Sequence, residues 1–306
     1  MKDMNNLNTI EKSKIILNVD KFPQFNIEDC KLPFVDSPFY KKLAKNHKNK
    51  LLKYSDKLNS DGYCIIDTEI NDKIIDDINY DIDNALKKRA IKTNSNAYHY
   101  NLSPRIVEAW KFSEGVKNIC SNKNILDVLR FSYQSEPIPF STINFLKGTE
   151  QPLHSDEFHF GSIPHRYLSG CWIALEDIHE DSGPLSIAVG SHKLPVFSFE
   201  DIGLKIPKNE KDFKYSYTIY EEWVKEIIDS FKFDIVTPKL KKGQCLLWLS
   251  NTLHGAYEIK DKKLTRKSLV VHYHYDKCEM LFYPNYSNLL KGKLVPRSMC
   301  NLDIRS

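Results

Sequence analysis

The sequence GTEQPLHSD, residues 148–156, contains the pattern His154-Ser155-Asp156 shortly after a turn-forming glycine. In a β-strand, residues two positions apart point to the same side, with their Cα atoms roughly 6.6 Å apart. If this segment is a strand, His154 and Asp156 can direct an imidazole and a carboxylate to one point, where a divalent metal can bind. The tripeptide alone is weak support, because a surface histidine beside an aspartate in a turn explains it equally well.

A second candidate ligand lies about a hundred residues further on, in WLSNTLHGA, residues 248–256. An apolar strand leads into His254, and the small residues Gly255 and Ala256 are expected to leave room for a ligand beside a metal. Two histidines and one carboxylate form a facial triad with open coordination positions, which is diagnostic of non-haem iron(II) oxygenases. The alternative for His254 is a histidine whose hydrogen bonds are satisfied at the end of a strand.

Arg266 follows His254 by twelve residues and precedes the strand-like sequence SLVVHYHY, residues 268–275. The polar loop between them predicts a hairpin that brings Arg266 alongside the strand of His254. A guanidinium group there can hold a carboxylate through two parallel hydrogen bonds, a geometry that lysine cannot reproduce. The alternative is an exposed arginine that opens a strand. The ordered set of four positions therefore predicts a metal site with an anchor for a keto acid.

Composition and charge narrow the class of protein. The chain has 306 residues, of which 41% are hydrophobic and 27% charged, and this length suits one large core. Its 44 basic and 40 acidic residues are too balanced to indicate nucleic acid as a partner. The seven cysteines form no C-x-x-C pair, which is typical of a reducing compartment. Because no apolar run resembles a signal peptide or a membrane span, we expect a cytoplasmic protein with a small-molecule substrate and no membrane partner.

The apolar pattern predicts helices in the first part of the chain and short strands in the second. Helices are expected at residues 37–58, 71–89 (with Asn71 as N-cap), 103–131 with breaks, and 220–231. Strands are expected at residues 63–67, 140–145, 167–175, 185–189, 245–249 and 268–275. Short strands separated by turn residues indicate a sandwich or a double-sheet barrel.

The domain organisation follows from this division. We expect residues 1–60 to form an N-terminal arm and helix, and residues 61–306 to form a single domain with a helical insertion at about 197–233. This insertion is expected to form part of the substrate wall. Its tyrosines suggest a polar, ring-containing or sugar-like ligand.

Between Phe140 and Tyr275 the chain resembles the phytanoyl-CoA dioxygenase family of iron(II)- and 2-oxoglutarate-dependent oxygenases. The motifs that carry the resemblance are STINF (141–145), GTEQPLHSD (148–156), WIALED (172–177), SGPL (182–185), GSHKLP (190–195) and HG (254–255). The resemblance implies a mainly β fold with flanking helices, namely the double-stranded β-helix, or cupin-like jelly roll. Weaker similarity extends upstream to Gly62.

The resemblance also implies a reaction and its cofactors. His154, Asp156 and His254 would hold iron(II), Arg266 would anchor 2-oxoglutarate as co-substrate, and O2 would be the oxidant. The expected reaction is hydroxylation of an unactivated C–H bond of a small-molecule metabolite, with release of succinate and CO2. Related halogenases replace the carboxylate ligand by a small residue, so the intact Asp156 favours hydroxylation, with desaturation and ring closure left open.

Three further residues are expected to bind the co-substrate or its surroundings. Trp172 matches a position that lines the co-substrate pocket in the family, although a core aromatic residue on a strand fits almost as well. Asn144 and Gln151 carry amides that can hydrogen-bond a ligand without adding charge.

One position departs from the family. Some members have a hydroxyl residue two positions after the distal histidine, where this chain has Ala256. Thr252 or another hydroxyl then has to replace it, or Arg266 acts with less help.

The remaining histidines are expected outside the metal set. His159 is expected at the mouth of the site, and His192 in a structural turn. His272 and His274 follow Arg266 too closely to share its site easily, so we expect them to be strand residues, with a partly pocket-facing position left open.

Two other functions remain open from the sequence. One is a catalytically silent jelly-roll binding protein, which would be marked by loss of a triad ligand. The other is a metal-dependent hydrolase that uses the same His/Asp/His site. Consumption of oxygen and 2-oxoglutarate separates the three.

Overall fold

The computed structural model describes residues 32–88, 105–281, 296–297 and 302. Most of the expected N-terminal arm, residues 1–31, lies outside the described residues. The helices are α1 (Tyr40–Ala44), α2 (Leu52–Asp61), α3 (Asp72–Lys87), α4 (Glu114–Cys120), α5 (Lys123–Tyr133) and α6 (Glu210–Phe231). The strands are β1 (Tyr63–Asp67), β2 (Ile106–Val107), β3 (Pro137–Phe145), β4 (Ser162–Ile163), β5 (Leu168–Ala174), β6 (Leu185–Ala188), β7 (Ile235–Val236), β8 (Gln244–Leu249), β9 (His254–Ala256), β10 (Ser268–Tyr275) and β11 (Glu279–Met280).

The predicted strands are confirmed to within a few residues, whereas the helices differ in three places. The helix expected at 37–58 is two helices, because Asn49 accepts a hydrogen bond from the backbone N–H of Leu51 (2.9 Å) and starts a new turn. Ile106 and Val107 form β2, because they pair with β3 and become the edge strand beside it. Helix α6 begins ten residues earlier than expected, where Asn209 accepts a hydrogen bond from the N–H of Asp212. The predicted N-cap, Asn71, is confirmed by the same type of contact with Lys73.

Two antiparallel sheets form the centre of the molecule. The larger sheet has the strand order β1-β8-β5-β10-β3-β2, and the smaller one has the order β7-β6-β9. Their facing sides share one hydrophobic cluster, with Trp172 and Val270 from the larger sheet and Leu185 and Ile187 from the smaller. This confirms the expected mainly β, jelly-roll architecture.

Helices cover the other side of the larger sheet. Leu269, Val271 and Tyr273 of β10 belong to a second cluster that also contains buried residues of α3, α4 and α5. Since side chains alternate along a strand, Val270 and His272 of the same strand point to the opposite side, toward the smaller sheet. The larger sheet is therefore buried on both sides, and the space between the sheets becomes the site.

Helix α6 lies in the chain between β6 and β7, within the insertion expected at 197–233. Its residues Tyr217, Tyr220 and Val224 pack in an aromatic cluster with Phe158, next to the site. The division of the chain at residue 61 stays a prediction. Within the described ranges, none of the helices combines the length and the apolar character needed to cross a lipid bilayer.

Candidate metal and co-substrate site

Three of the predicted residues, His154, Asp156 and His254, meet between the two sheets. Each offers one ligand atom, and these atoms lie within 4.8 Å of one another. All three residues are buried. The backbones of His154 and His254 form an antiparallel bridge, with N–H to carbonyl distances of 2.9 and 3.0 Å. This bridge fixes the two imidazoles side by side, although the residues are far apart in sequence.

The expectation of a strand over His154 and Asp156 was wrong. His154 makes only the isolated bridge to His254, and Asp156 begins a short 3-10 helix, Asp156–Phe158. Ser155 between them has an extended backbone (φ −103°, ψ 135°). Because this single residue is extended, the flanking side chains still reach the same site.

Gly255 has a packing role that the sequence did not predict. A Cβ atom at this position would lie 2.6 Å from the carbonyl oxygen of Gln151 and 2.9 Å from the amide nitrogen of Leu153. The glycine therefore allows the segments that carry His154 and His254 to approach each other. Gly255 also lines the cavity, and the expectation that it leaves room for a ligand beside a metal stays a prediction.

Hydrogen bonds orient both histidines. Nδ1 of His154 lies 2.9 Å from the carbonyl oxygen of Pro152, and Nδ1 of His254 lies 2.9 Å from that of Thr252. A carbonyl only accepts, so each Nδ1 carries the proton and each Nε2 lone pair faces the site. Burial lowers the pKa of both imidazoles. The neutral form that a metal requires is therefore favoured.

The carboxylate of Asp156 is held by two residues that were not predicted from the sequence. Nε1 of Trp248 donates a 2.7 Å hydrogen bond to its Oδ2, and Nε2 of His272 lies 3.4 Å from the same oxygen. Nε2 of His254 lies 3.7 Å from Oδ1. Burial by itself would raise the pKa of Asp156, but His254 and His272 outweigh it and hold this pKa far below its usual range. Asp156 is thus ionised, with Oδ1 directed to the metal position.

Arg266 supplies a buried positive charge in the same cavity. Its side chain is 1% exposed, and its NH1 donates a 2.7 Å hydrogen bond to the carbonyl oxygen of Gly183. Within the described ranges no acidic side chain pairs with it, and its Nε has no hydrogen-bond partner. Burial lowers the pKa of Arg266 to about 10. A buried cation without a carboxylate is unfavourable, so an anionic ligand fits this position.

The prediction that His254 and Arg266 lie on the two strands of one hairpin was wrong. His254 lies on β9 of the smaller sheet, and Arg266 precedes β10 of the larger one. The two residues therefore face each other across the space between the sheets. This arrangement places the arginine on the opposite wall from the distal histidine.

The cavity has a volume of about 280 Å³, near the small end of the range for small-molecule sites. Its described lining includes Thr149, Gln151, His159, Trp172, Phe213 and His272 beside the triad and Arg266. The ring centroid of Trp172 lies 5.7 Å from the guanidinium carbon of Arg266. The amide nitrogen of Gln151 lies 3.2 Å from Nε2 of His154. Both residues therefore line the cavity, and their part in binding the co-substrate stays a prediction.

Asn144 does not line this cavity, contrary to expectation. It pairs in register with Leu269 and Ile106, whereas its neighbours Ile143 and Phe145 line the cavity. Because side chains alternate along a strand, the side chain of Asn144 points to the helix-covered side of the larger sheet. It is 1% exposed there, and both atoms of its amide are without a hydrogen-bond partner in the described structure.

The missing hydroxyl at Ala256 is not replaced by Thr252. Its Oγ1 donates to the carbonyl oxygen of Gly62 (2.8 Å), and the residue does not line the cavity. Thr149 lines the cavity instead. A hydroxyl is therefore available from the segment that precedes His154.

The histidines outside the triad divide into two groups. His192 is structural as expected, in a short 3-10 helix with Nε2 3.1 Å from the carbonyl oxygen of Asn59. His159 and His272 both line the cavity, so His272 is a strand residue, as expected, and it is one that faces the pocket. Positions 266, 268, 270 and 272 share one side of an extended strand, and this alternation was a usable signal.

The tyrosines of α6 do not form the expected polar wall. Tyr215 is exposed, and Tyr217 and Tyr220 pack in the aromatic cluster with Phe158. Phe213 is the residue of α6 that lines the cavity in the described structure. The expectation of a sugar-like ligand from these tyrosines therefore has no structural support.

A family model described as phytanoyl-CoA dioxygenase (PhyH) matches residues 56–268. The chain belongs to the phytanoyl-CoA dioxygenase family. This confirms the resemblance seen in the sequence, and a comparison with curated protein sequences found no match.

Solved structures agree with membership of the phytanoyl-CoA dioxygenase family at the level of the fold. The non-haem α-ketoglutarate-dependent epimerase SnoN from nogalamycin biosynthesis is 18% identical, with a TM-score of 0.58, over 78% of this chain and 88% of its own. The carbocyclase SnoK from the same biosynthesis is 16% identical, also at 0.58, over 83% and 95%. EctD from S. alaskensis, solved with bound Fe, is 19% identical at 0.55, over 72% and 75%.

The residues present fit the cofactors of this family. The donor set of two imidazoles and one carboxylate suits iron(II) and leaves coordination positions open. The uncompensated guanidinium of Arg266 suits one carboxylate of a dicarboxylate co-substrate. Family membership and the donor set thus support the predicted iron(II), 2-oxoglutarate and O2.

Proposed function

We propose that this member of the phytanoyl-CoA dioxygenase family hydroxylates an unactivated C–H bond of a small-molecule metabolite, with conversion of 2-oxoglutarate and O2 to succinate and CO2. The observation that carries the proposal is the position of Arg266. This buried cation lacks an acidic partner in the described structure and faces the triad across one cavity. A metal site alone would not need it.

Each residue has a role in this reaction. His154, Asp156 and His254 would hold the iron, which when bound supplies the oxygen activation and the C–H oxidation. Arg266 pairs with the far carboxylate of 2-oxoglutarate, and the indole of Trp172 lies beside that guanidinium group. Trp248 and His272 fix the carboxylate of Asp156 through Oδ2. The buried walls exclude water from the reacting groups.

The choice of hydroxylation rests on Asp156. A halogenase of this kind lacks a carboxylate ligand, whereas Asp156 is present, ionised and hydrogen-bonded here. The solved relatives named as epimerase and carbocyclase catalyse other outcomes on the same fold. Analysis of the oxidised product by mass spectrometry tests hydroxylation, because a gain of one oxygen atom differs from the loss of two hydrogens in ring closure.

Binding of 2-oxoglutarate tests the site itself. Calorimetric titration of 2-oxoglutarate into the iron(II)-loaded protein without oxygen is expected to show one site per chain. A metal-dependent hydrolase with the same triad has no reason to bind it. The absence of binding to wild-type protein, with iron bound, would contradict the proposal. The cytoplasmic location stays a prediction.

A further inference from the structure

The side-chain amide of Gln151 lies directly beside the metal position. Its nitrogen, Nε2, is 3.2 Å from Nε2 of His154, the atom of that imidazole that faces the site. At the other end of the amide, Oε1 accepts a 2.8 Å hydrogen bond from NH2 of Arg105. Gln151 is 9% exposed and lines the cavity. One amide therefore joins a predicted metal ligand to a residue of the cavity wall.

These two contacts determine which end of the amide faces His154. A guanidinium group has N–H donors and no acceptor, so the atom of Gln151 that contacts Arg105 is the oxygen. Nδ1 of His154 lies 2.9 Å from the carbonyl oxygen of Pro152 and carries the proton, so Nε2 of this ring is an acceptor. Both partners thus require the same orientation, in which the N–H groups of Gln151 point to the metal position.

The backbone of Gln151 holds this side chain in place. Its carbonyl oxygen accepts a 2.9 Å hydrogen bond from the N–H of Ala256, and a Cβ atom at Gly255 would lie 2.6 Å from the same oxygen. The segment is therefore packed directly against β9. Because the backbone has little room to move, the amide can change its partner only by a rotation of the side chain.

A metal bound to His154 changes the partner of this amide. The lone pair of an imidazole nitrogen can accept an N–H or bind a metal, but not both. The carboxylate of Asp156 is already engaged, because Oδ2 accepts from Trp248 and Oδ1 is directed to the metal position. The N–H groups of Gln151 then need another acceptor, since a buried donor without a partner is unfavourable. An oxygen atom of a molecule bound to the metal meets this need.

We propose that Gln151 donates a hydrogen bond to the metal-chelating carboxylate of 2-oxoglutarate, at the opposite end of the molecule from the carboxylate that pairs with Arg266. This inference rests on the proposed function, because it assigns a further residue to the co-substrate of the same site. The two ends of 2-oxoglutarate then have separate donors. Arg266 binds the far carboxylate through its charge, and Gln151 orients the chelating end without adding a charge beside the metal.

Two keto acids separate the two ends of the molecule. Pyruvate has the chelating end of 2-oxoglutarate but lacks its far carboxylate. Each acid is titrated into the iron(II)-loaded protein without oxygen, and binding is followed by the visible absorption of the iron(II) keto-acid chelate. In Gln151→Met we expect the affinity for both acids to fall about tenfold, whereas Arg266→Lys should lose affinity for 2-oxoglutarate only. The titration of 2-oxoglutarate decides the test if pyruvate binds too weakly to measure.

The affinity for the metal itself is expected to change in the opposite direction. Without a keto acid, the amide of Gln151 and iron(II) compete for the lone pair of His154. Gln151→Met should therefore bind iron(II) as tightly as the wild-type protein, or up to about fivefold more tightly. Competition with a chromophoric chelator measures this affinity. A substitution that only disturbs the fold would weaken the binding of both iron(II) and the keto acids, so a fall in iron(II) affinity would overturn the inference.

A second variant separates the donor role of Gln151 from its contact with Arg105. Gln151→Glu keeps the shape and an acceptor for Arg105 but has no N–H to donate, so we expect it to bind 2-oxoglutarate at least about tenfold more weakly. If the amide acted only by holding Arg105, this variant would bind 2-oxoglutarate like the wild-type protein, and that result would overturn the inference. It also decides the test if Gln151→Met does not fold. Gln244→Leu is the control, because Oε1 of Gln244 contacts only the backbone N–H of Lys241 and the residue does not line the cavity.

The two proposals fail in different ways. If the wild-type protein with iron(II) bound does not bind 2-oxoglutarate, the proposed dioxygenase function fails. If the wild-type protein binds 2-oxoglutarate and both Gln151 variants bind it equally well, only the role of Gln151 is refuted.

Discussion

The indole Nε1 of Trp248 donates a 2.7 Å hydrogen bond to Oδ2 of Asp156. Trp248 lies on β8 and is 2% exposed, so the contact comes from inside the larger sheet. It occupies one carboxylate oxygen and leaves Oδ1 on the side of His254. The sheet itself therefore sets the geometry of the only acidic metal ligand among the described cavity residues.

Removal of this donor tests its importance. Trp248→Phe keeps an aromatic ring but leaves Oδ2 of Asp156 without its indole partner. We expect iron(II) affinity to fall roughly tenfold, as is usual when a group that orients a metal ligand is removed. Competition with a chromophoric chelator measures this. Trp110→Phe is the control, because the indole N–H of Trp110 has no partner in the described structure. Equal affinities of the two variants would contradict the role of Trp248.

Gly170 leaves the space that the indole of Trp248 occupies. A Cβ atom at this position would lie 2.3 Å from Cε2 of Trp248, and Gly170 pairs with Trp248 across the sheet. Gly170→Ala is therefore expected to displace the indole, destabilise the protein by roughly 1–3 kcal/mol and weaken iron(II) binding. Denaturant unfolding and the chelator assay measure the two effects. Gly203→Ala is the control: a Cβ there meets no atom within 4 Å, but the φ of +75° makes the substitution destabilising as well. It should leave the iron affinity unchanged, which separates a loss of stability from displacement of the indole.

Binding of 2-oxoglutarate is expected to depend on the planar shape of the Arg266 guanidinium group as well as on its charge. In Arg266→Lys the charge remains, but the planar pair of donors that fits a carboxylate is lost. We expect the KM for 2-oxoglutarate to rise roughly tenfold to a hundredfold, in line with the loss of a charge-assisted hydrogen bond. Arg130→Lys serves as the surface control. A KM within twofold of wild type would show that Arg266 does not anchor the co-substrate.

Metal binding should resist mild acid. An imidazole binds a metal only when neutral, so protons compete with the metal below the imidazole pKa. Burial lowers the pKa of His154 and His254 from the ordinary value of 6.5, so competition begins at a lower pH than for exposed histidines. Iron(II) affinity is therefore expected to change little from about pH 8 to about pH 6 and to fall at lower pH. A steep fall already above pH 6.5 would contradict the effect of burial.

Replacement of Asn144 is expected to change the stability of the protein but not its binding of 2-oxoglutarate. Both atoms of its buried amide are without a partner in the described structure, and its cross-strand neighbours are Leu269 and Ile106. Asn144→Leu is expected to raise the free energy of unfolding by about 1 kcal/mol, with 2-oxoglutarate binding unchanged. Denaturant unfolding and calorimetry measure both. Loss of 2-oxoglutarate binding in a folded variant would restore the original expectation for Asn144.

The sequence alone was sufficient to predict those site residues that stand at a characteristic spacing along the chain. His154 and Asp156 need only one extended residue between them, and His254 and Arg266 follow in a fixed order. The sequence also located the six described strands of four or more residues, because alternation and turn residues are local properties, but it missed the strands of two or three residues. These features do not depend on which strands become neighbours.

The residues that were missed depend on strand pairing. Trp248 reaches Asp156 because Ser155 and Glu157 hydrogen-bond to the carbonyl oxygen of Ser250, directly after β8. Asn144 faces the helices because of its register with β10. A shift of one residue in register reverses every side chain of a strand, so no single segment could decide these positions. Arg105 and Arg297, which also line the cavity, come from separate parts of the chain and carried no signal of their own.

The most direct test of the central claim is the iron-dependent conversion of 2-oxoglutarate. Purified protein is supplied with iron(II), O2 and 2-oxoglutarate, and succinate is measured beside a His254→Ala variant that has lost one triad ligand. We expect the wild-type protein to form succinate only when iron(II) is present, and the variant to form none. No succinate from the iron-loaded wild-type protein, or full turnover by the variant, would contradict the assignment of the triad as the iron site of a 2-oxoglutarate-dependent dioxygenase.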